Sequence, residues 1–168
     1  MKQRPLRTLV LLALFIAINL ILSRIFVFYL TDFARLELGN VPLLLAGLLC
    51  GPAAGAVTGA VADILGSVVL SGRGWFPLLT VGPLLMGLLP GLLRKPLLGK
   101  EPNWKRMLFL IVLTELIASV FYKTWCLSLL YGMSFPALLA VRLPVICLLT
   151  AAEVLLVYPL YSRLRKLL

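Results

Sequence analysis

Ionisable side chains interrupt long apolar segments of this chain at only a few positions, and these are the candidates for chemistry. Asp63 is one of them, and it follows glycines spaced four residues apart at 51, 55 and 59. Small residues at this spacing line one helix face and favour close helix packing. A carboxylate in such a helix is costly unless it is paired or hydrated, so Asp63 either pairs with a cation or binds a ligand.

Two further sets of polar residues fall on single helix faces. One set is Glu115, Ser119, Tyr122 and Lys123, and the other is Arg142, Thr150 and Glu153. At 100° per residue, each set covers one side of its helix. Two such stripes predict a water-accessible cavity with Arg24, Lys123 and Arg142 near its mouth and the glutamates toward its floor. The alternative is that these charges pair with one another and only fix the helix positions.

The elements that carry these residues are apolar enough to cross a membrane. The chain has 168 residues, of which 62% are hydrophobic. A span needs about 20 apolar residues. We predict an all-α integral membrane protein of about six transmembrane helices, forming one compact domain over 1–168. The predicted spans are 8–29, 41–50, 53–70, 76–93, 107–131 and 136–161, of which the second is short.

Basic residues are concentrated at three places that six spans would bring to one side of the membrane. Eleven of the sixteen Lys and Arg residues lie before the first span, between the fourth and fifth, or after the sixth. The positive-inside rule therefore predicts that both termini are cytoplasmic. Contact with anionic lipid accounts for the net charge of +10 without a nucleic-acid partner.

Several classes of function lack the residues they would need. The chain has no histidine, no P-loop and no nucleophile beside a base, and its three cysteines are isolated in apolar surroundings. We therefore expect no enzyme activity, no metal site and no cofactor. Any ATP-driven function would need an ATPase on another chain.

The order of motifs resembles the folate-type substrate-binding S component of energy-coupling factor (ECF) vitamin transporters. The resemblance covers nearly the whole chain, and it runs through Ala13-x-x-x-Ala17, residues 36–47, the glycines before Asp63, residues 74–80 and residues 128–132. It implies a plasma-membrane protein of prokaryotic type that captures a vitamin from outside, with folate as the first candidate. It also implies assembly with a transmembrane T component and two cytoplasmic ATPases, and toppling in the membrane to release the vitamin inside.

The resemblance further assigns residues to the two binding functions. Ala13 and Ala17 would dock the T component. The ligand site would be lined by Arg24, Gly39, Asn40, Pro42, Asp63, Trp75, Phe76, Lys123, Thr124, Trp125 and Arg142. The chain departs from the family pattern at Lys123, where asparagine is common, and at Trp125, which is displaced by one position.

These departures lie near the expected site and leave other functions open. One alternative is an S component for another small molecule, such as a queuosine precursor or pantothenate. Another is a structural membrane protein whose buried charges only pair. A planar ring with an anionic tail would nevertheless find aromatic, acidic and cationic side chains of the right types in the predicted cavity.

Overall fold

The residues that the structure describes form a bundle of six helices with one short hairpin. The structure is a computed structural model, and it describes residues 5–30, 35–70, 75–99 and 103–167. The helices are α1 (Pro5–Leu20), α2 (Asn40–Cys50), α3 (Pro52–Leu65), α4 (Pro77–Leu93), α5 (Trp104–Glu115) and α6 (Phe135–Leu167). Four of them continue in π-helical geometry: α1 over Ile21–Ile25, α3 over Gly66–Leu70, α4 over Arg94–Leu98 and α5 over Leu116–Lys123. After its π-helical part, α5 is α-helical again over Thr124–Tyr131.

The predicted all-α membrane architecture is confirmed. In the described part of the chain, five helices are long and apolar enough to cross a membrane, and α2 is a shorter apolar helix. At 1.5 Å per residue, the eleven residues of α2 extend about 16 Å, roughly half of a bilayer core. Nine of those residues are buried, so α2 packs inside the bundle and not against lipid.

Helix boundaries follow local backbone chemistry. Gly51 has a φ of 100° and ends α2, and Pro52 then starts α3 at a position where a missing N–H costs nothing. Pro77 plays the same part at the start of α4. Asn103 caps α5, because its side chain accepts a hydrogen bond from the backbone N–H of Lys105 at 3.2 Å.

The predicted end of the first helix was wrong. The prediction extended it through residue 29, but α1 and its π-helical turn end at Ile25, and β1 (Val27–Tyr29) follows. β1 pairs antiparallel with β2 (Arg35–Glu37), with Phe28 opposite Leu36. A β-branched residue and two aromatic residues suit a strand as well as a helix, and the pairing with β2 decides the outcome. The segment between the first and second predicted spans therefore contains the second strand of a hairpin.

Direct backbone contact joins α3 to α4. A Cβ atom on Gly55 would overlap the carbonyl oxygen of Gly87, and one on Gly59 would overlap that of Pro83. Gly55 and Gly59 are thus packing residues that allow two helices to approach closely, whereas Gly51 ends α2 and has no such contact among the described residues. At the other end of α4, Arg94 donates a hydrogen bond to the carbonyl oxygen of Leu48 at 2.8 Å and ties α4 to α2.

This contact predicts different effects for two glycine-to-alanine substitutions in the bundle. Gly59→Ala forces α3 and α4 apart and should destabilise the protein by about 1–3 kcal/mol. Gly82→Ala is the matched control, since nothing lies within 4 Å of its added methyl group, and it should leave stability unchanged or raise it slightly. Thermal unfolding in detergent measures both variants. Equal melting temperatures for the two would contradict the packing described here.

Candidate functional site

A cavity of about 460 Å³ opens within the bundle, a size typical of small-molecule sites. Residues from all six helices and from β2 line it. Its charged lining residues are Arg24, Arg35, Lys123, Arg142, Glu37, Asp63 and Glu115. Four cations and three carboxylates therefore surround one space, which suits a ligand that carries both anionic groups and hydrogen-bond donors.

One side of the cavity is organised around Asp63 on α3. Its Oδ1 lies 3.7 Å from Nη2 of Arg24, and its Oδ2 accepts a hydrogen bond from Thr80 Oγ1 at 2.8 Å. Thr80 in turn accepts one from the indole N–H of Trp75 at 2.9 Å. This chain of contacts fixes the orientation of the Trp75 ring at the start of α4. Trp75 and the adjacent Phe76 are 44% and 48% exposed, so their ring faces are free to stack on a planar ligand.

The position of the Arg24 side chain depends on Gly66, which leaves room for the guanidinium group. A Cβ atom on Gly66 would lie 2.7 Å from Nε of Arg24, so the guanidinium group packs directly on the helix backbone. Any larger residue at position 66 would displace Arg24 from Asp63.

A second charged cluster joins the hairpin to α5. Glu37 on β2 lies 3.0 Å from Nη2 of Arg35 and 3.7 Å from Nζ of Lys123, in both cases through its Oε1. Glu37 is only 8% exposed, and Lys123 lies near the end of the π-helical part of α5. The ion pair across the two elements therefore fixes the hairpin over the cavity.

Arg142 on α6 differs from the other cations of the cavity. Its Nη1 donates a hydrogen bond to Thr124 Oγ1 at 2.7 Å, and the residue is 6% exposed. Among the described residues, no carboxylate oxygen lies within 4 Å of its guanidinium group. A buried guanidinium group with a neutral partner leaves N–H donors available for an anion in the cavity.

Amide groups and a carboxylate meet near the start of α2. Asn40 Nδ2 donates a hydrogen bond to Glu115 Oε1 at 3.0 Å. Asn19 Nδ2 on α1 donates one to the carbonyl oxygen of Gly39 at 2.6 Å. These bonds hold the loop before α2 against α1 and α5, and they place Glu115 in the cavity wall.

The structure brings most of the predicted site residues together. Eight of them line the cavity: Arg24, Gly39, Asn40, Asp63, Trp75, Phe76, Lys123 and Arg142. Three predicted residues do not line it, namely Pro42, Thr124 and Trp125. Pro42 is buried inside α2, and Thr124 lies behind Arg142 as its hydrogen-bond acceptor. Trp125 is 47% exposed and lies beside Tyr122, with a distance of 6.2 Å between ring centroids.

The polar stripe on α5 is only partly directed at the cavity. Glu115, Ser119 and Lys123 line it, but Tyr122 donates a hydrogen bond to the carbonyl oxygen of Leu78 at 3.0 Å instead. The cause is the π-helical geometry of Leu116–Lys123, which turns less per residue than the α-helix on which the prediction rested.

Several lining residues were not predicted as site residues. They include Asn19, Ser23, Arg35, Glu37, Ser67 and Tyr131. Asn19 and Ser23 carried a usable signal, since two polar residues four positions apart share one face of an otherwise apolar helix. No signal in the sequence indicated Glu37, because its place in the cavity depends on the ion pair with the distant Lys123. Within the described residues, no group of three or more His, Cys, Asp or Glu residues could hold a metal ion.

The predicted docking alanines lie on the outside of the bundle. Ala13 and Ala17 are both exposed on α1, one helical turn apart. Exposed small residues at this spacing leave a flat strip beside the larger exposed side chains of Leu14 and Ile18. The strip is separate from the cavity, which α1 lines with Asn19, Ser23 and Arg24.

Comparison with known proteins identifies the bundle. The family model described as ECF-type riboflavin transporter, S component, matches residues 4–166. The chain belongs to this family. This S component is also 20% identical over 165 residues to the folate transporter FolT of Clostridium novyi (strain NT). The aligned region covers 98% of this chain and 94% of that relative. A crystal structure of FolT bound with folic acid superimposes with a TM-score of 0.80 at 26% identity, covering 92% of each chain.

The hydrogen-bond chain at Asp63 yields a prediction for this S component. Thr80→Val keeps the shape of the side chain but removes the link between Trp75 and Asp63, so it should lower the free energy of unfolding by about 1–2 kcal/mol. It should also lower the fluorescence anisotropy of Trp75 when Trp104 and Trp125 are replaced by Phe. Thr150→Val is the control, because among the described residues Thr150 bonds only to the Ile146 carbonyl of its own helix. An unchanged anisotropy in Thr80→Val would show that the chain does not hold the indole.

Proposed function

We propose that this S component binds folate in the cavity described above, as the substrate-binding subunit of an ATP-driven vitamin uptake transporter. The observation that carries the proposal is Arg142, a buried guanidinium group that faces the cavity without a carboxylate partner among the described residues. Such a group is stabilised by an anion that arrives with the ligand. The glutamate tail of folate carries two carboxylates.

The remaining lining residues fit the rest of a folate molecule. The exposed ring faces of Trp75 and Phe76 suit stacking on the pterin ring. Asp63 and Glu115 provide carboxylate acceptors for the N–H donors of that ring, and Lys123 adds a second cation for the tail. The FolT relatives support the same substrate, since one of them is described with folic acid bound.

Riboflavin is the second candidate, because the description of the matching family names it. Its ring is also planar and would stack on the same aromatic side chains. Its ribityl chain, however, is neutral and gives no anion to Arg142. The charges of the cavity therefore favour folate over riboflavin.

The ligand specificity can be tested with one substitution and two ligands. Arg142→Gln should weaken the binding of folic acid at least about tenfold, since a charge-assisted contact is lost. It should change the binding of pteroic acid little, because that ligand lacks the glutamate tail. Titration in detergent, followed by tryptophan fluorescence, measures both affinities.

Arg163→Gln is the control for this experiment, since Arg163 is exposed near the end of α6 and outside the cavity lining. It should leave both affinities unchanged. Equal losses for folic acid and pteroic acid in Arg142→Gln would contradict contact with the tail. If the unsubstituted protein binds riboflavin but neither folic acid nor pteroic acid, the substrate is riboflavin and not folate.

The proposal extends to the partners of this S component. We infer that it lies in the plasma membrane and associates with a T component and two ATPases, which hydrolyse ATP in its place. The exposed alanine strip of α1 supports this, because a partner helix can approach closely at Ala13 and Ala17. Residues 1–168 then act as one substrate-binding domain that topples to release the vitamin inside the cell.

Bulky residues in the alanine strip separate transport from binding. Ala13→Leu combined with Ala17→Leu should abolish folate uptake by cells and weaken copurification of the T component. Folic acid affinity should stay within about twofold of the unsubstituted protein, because the strip lies outside the cavity. Ala151→Leu, an exposed alanine on α6, should leave uptake intact. A loss of folic acid affinity in the double variant would show that the strip supports the packed interior of the S component and is not a separate docking surface.

A further inference from the structure

Glu153 on α6 is the most deeply buried carboxyl group described in the structure. Its exposure is 0%, and neither of its oxygens accepts a hydrogen bond from any described residue. It does not line the cavity. An ionised carboxylate without donors is among the costliest groups that a protein interior can hold, and an apolar residue of similar size would be more stable there. Helix packing alone therefore does not explain Glu153.

The neighbours of Glu153 give it a partner in the cavity wall. Its side chain lies next to Glu115 of α5 and Asn40 of α2. The other charged groups that act on this pair are Lys123 of α5 and Arg142 of α6. β2 also packs on α6, and its Glu37 already pairs with Arg35 and Lys123.

Ionisation of two adjacent buried carboxyl groups at once is disfavoured, because neighbouring like charges repel strongly in a medium of low dielectric constant. One proton resolves the arrangement. If Glu153 carries the proton, its O–H group can donate a hydrogen bond to the Glu115 carboxylate. The two Glu153 oxygens that accept no hydrogen bond then belong to a neutral acid, which needs no donors. Glu115 is 4% exposed and lines the cavity, so it keeps the charge where a ligand can use it.

We propose that Glu153 is a positioning residue that holds a proton and donates a hydrogen bond to Glu115, and that Glu115 is thereby fixed as the acceptor for paired N–H donors on the ring of the ligand. The Asn40 amide fixes Glu115 from the other side through its 3.0 Å hydrogen bond. Free lone pairs remain on the Glu115 carboxylate for the ligand. The inference rests on the proposed function and assigns the residue that selects the ring.

The ring edge of a pterin matches such an acceptor. Its 2-amino group and N3–H are adjacent donors, and the two oxygens of one carboxylate can accept both. The corresponding edge of a flavin presents one N–H between two carbonyl oxygens, which would face the negative charge of Glu115. Lys123 lies eight residues farther along the same helix than Glu115, and Arg142 bonds to the adjacent Thr124, so a ring at Glu115 directs an anionic tail toward Lys123 and Arg142.

Three variants test the inference through the affinities for folic acid and pteroic acid. Glu115→Gln should weaken both ligands at least about tenfold, because both contain the ring. Glu153→Gln keeps a neutral hydrogen-bond donor and should stay within about threefold of the unsubstituted protein. Glu153→Leu fills the space without a donor and should weaken both ligands about tenfold.

Thermal stability separates this role from a packing role. The inference predicts that Glu153→Leu melts at or above the temperature of Glu153→Gln, yet binds more weakly. If the two variants bind equally, or if affinity follows stability, Glu153 does not act through Glu115. If Glu115→Gln retains full affinity for both ligands, the inference fails and the proposed function stands. If the unsubstituted protein binds neither ligand, the proposed function itself fails.

Discussion

The cost of placing charge inside apolar helices is the constraint on which the rest of this structure depends. Few ionisable residues interrupt the membrane-spanning helices, and most of them converge on one cavity. Asp63 lies beside Arg24, and Glu37 pairs with Arg35 and Lys123. Such pairing lowers the cost of burial and fixes the positions of the helices that carry the charges. The charges that form no ion pair among the described residues, above all Arg142, define what the cavity can bind.

The polar cavity also requires that the helices around it pack tightly against one another. In water, apolar side chains drive helices together, but lipid tails are as apolar as leucine and provide no such force. The contact between α3 and α4 uses glycines instead, so that the backbones of Gly55 and Gly87 touch. This contact holds Asp63 on α3 and Thr80 on α4 within hydrogen-bond distance. Close packing of α3 against α4 thus positions the polar side chains that the same two helices direct toward the cavity.

Hydropathy and glycine spacing were sufficient to predict the helices and the close packing of α3 against a neighbouring helix, because both depend on residues near in sequence. Two kinds of feature could not be predicted in this way. The hairpin depends on pairing between Val27–Tyr29 and the polar segment Arg35–Glu37, and apolar composition alone does not distinguish its first strand from a helix. The positions of Tyr122 and Trp125 depend on the π-helical geometry of α5, which no residue pattern in the sequence predicts.

The central claim is that one cavity of an S component binds folate with its ring and tail in fixed places. A crystal structure of the purified protein with folic acid tests it most directly. The account predicts density for one folate molecule in the cavity, with the pterin ring at Glu115 and the glutamate carboxylates at Arg142. An empty cavity at saturating folic acid, or a ligand bound on another surface, would contradict it.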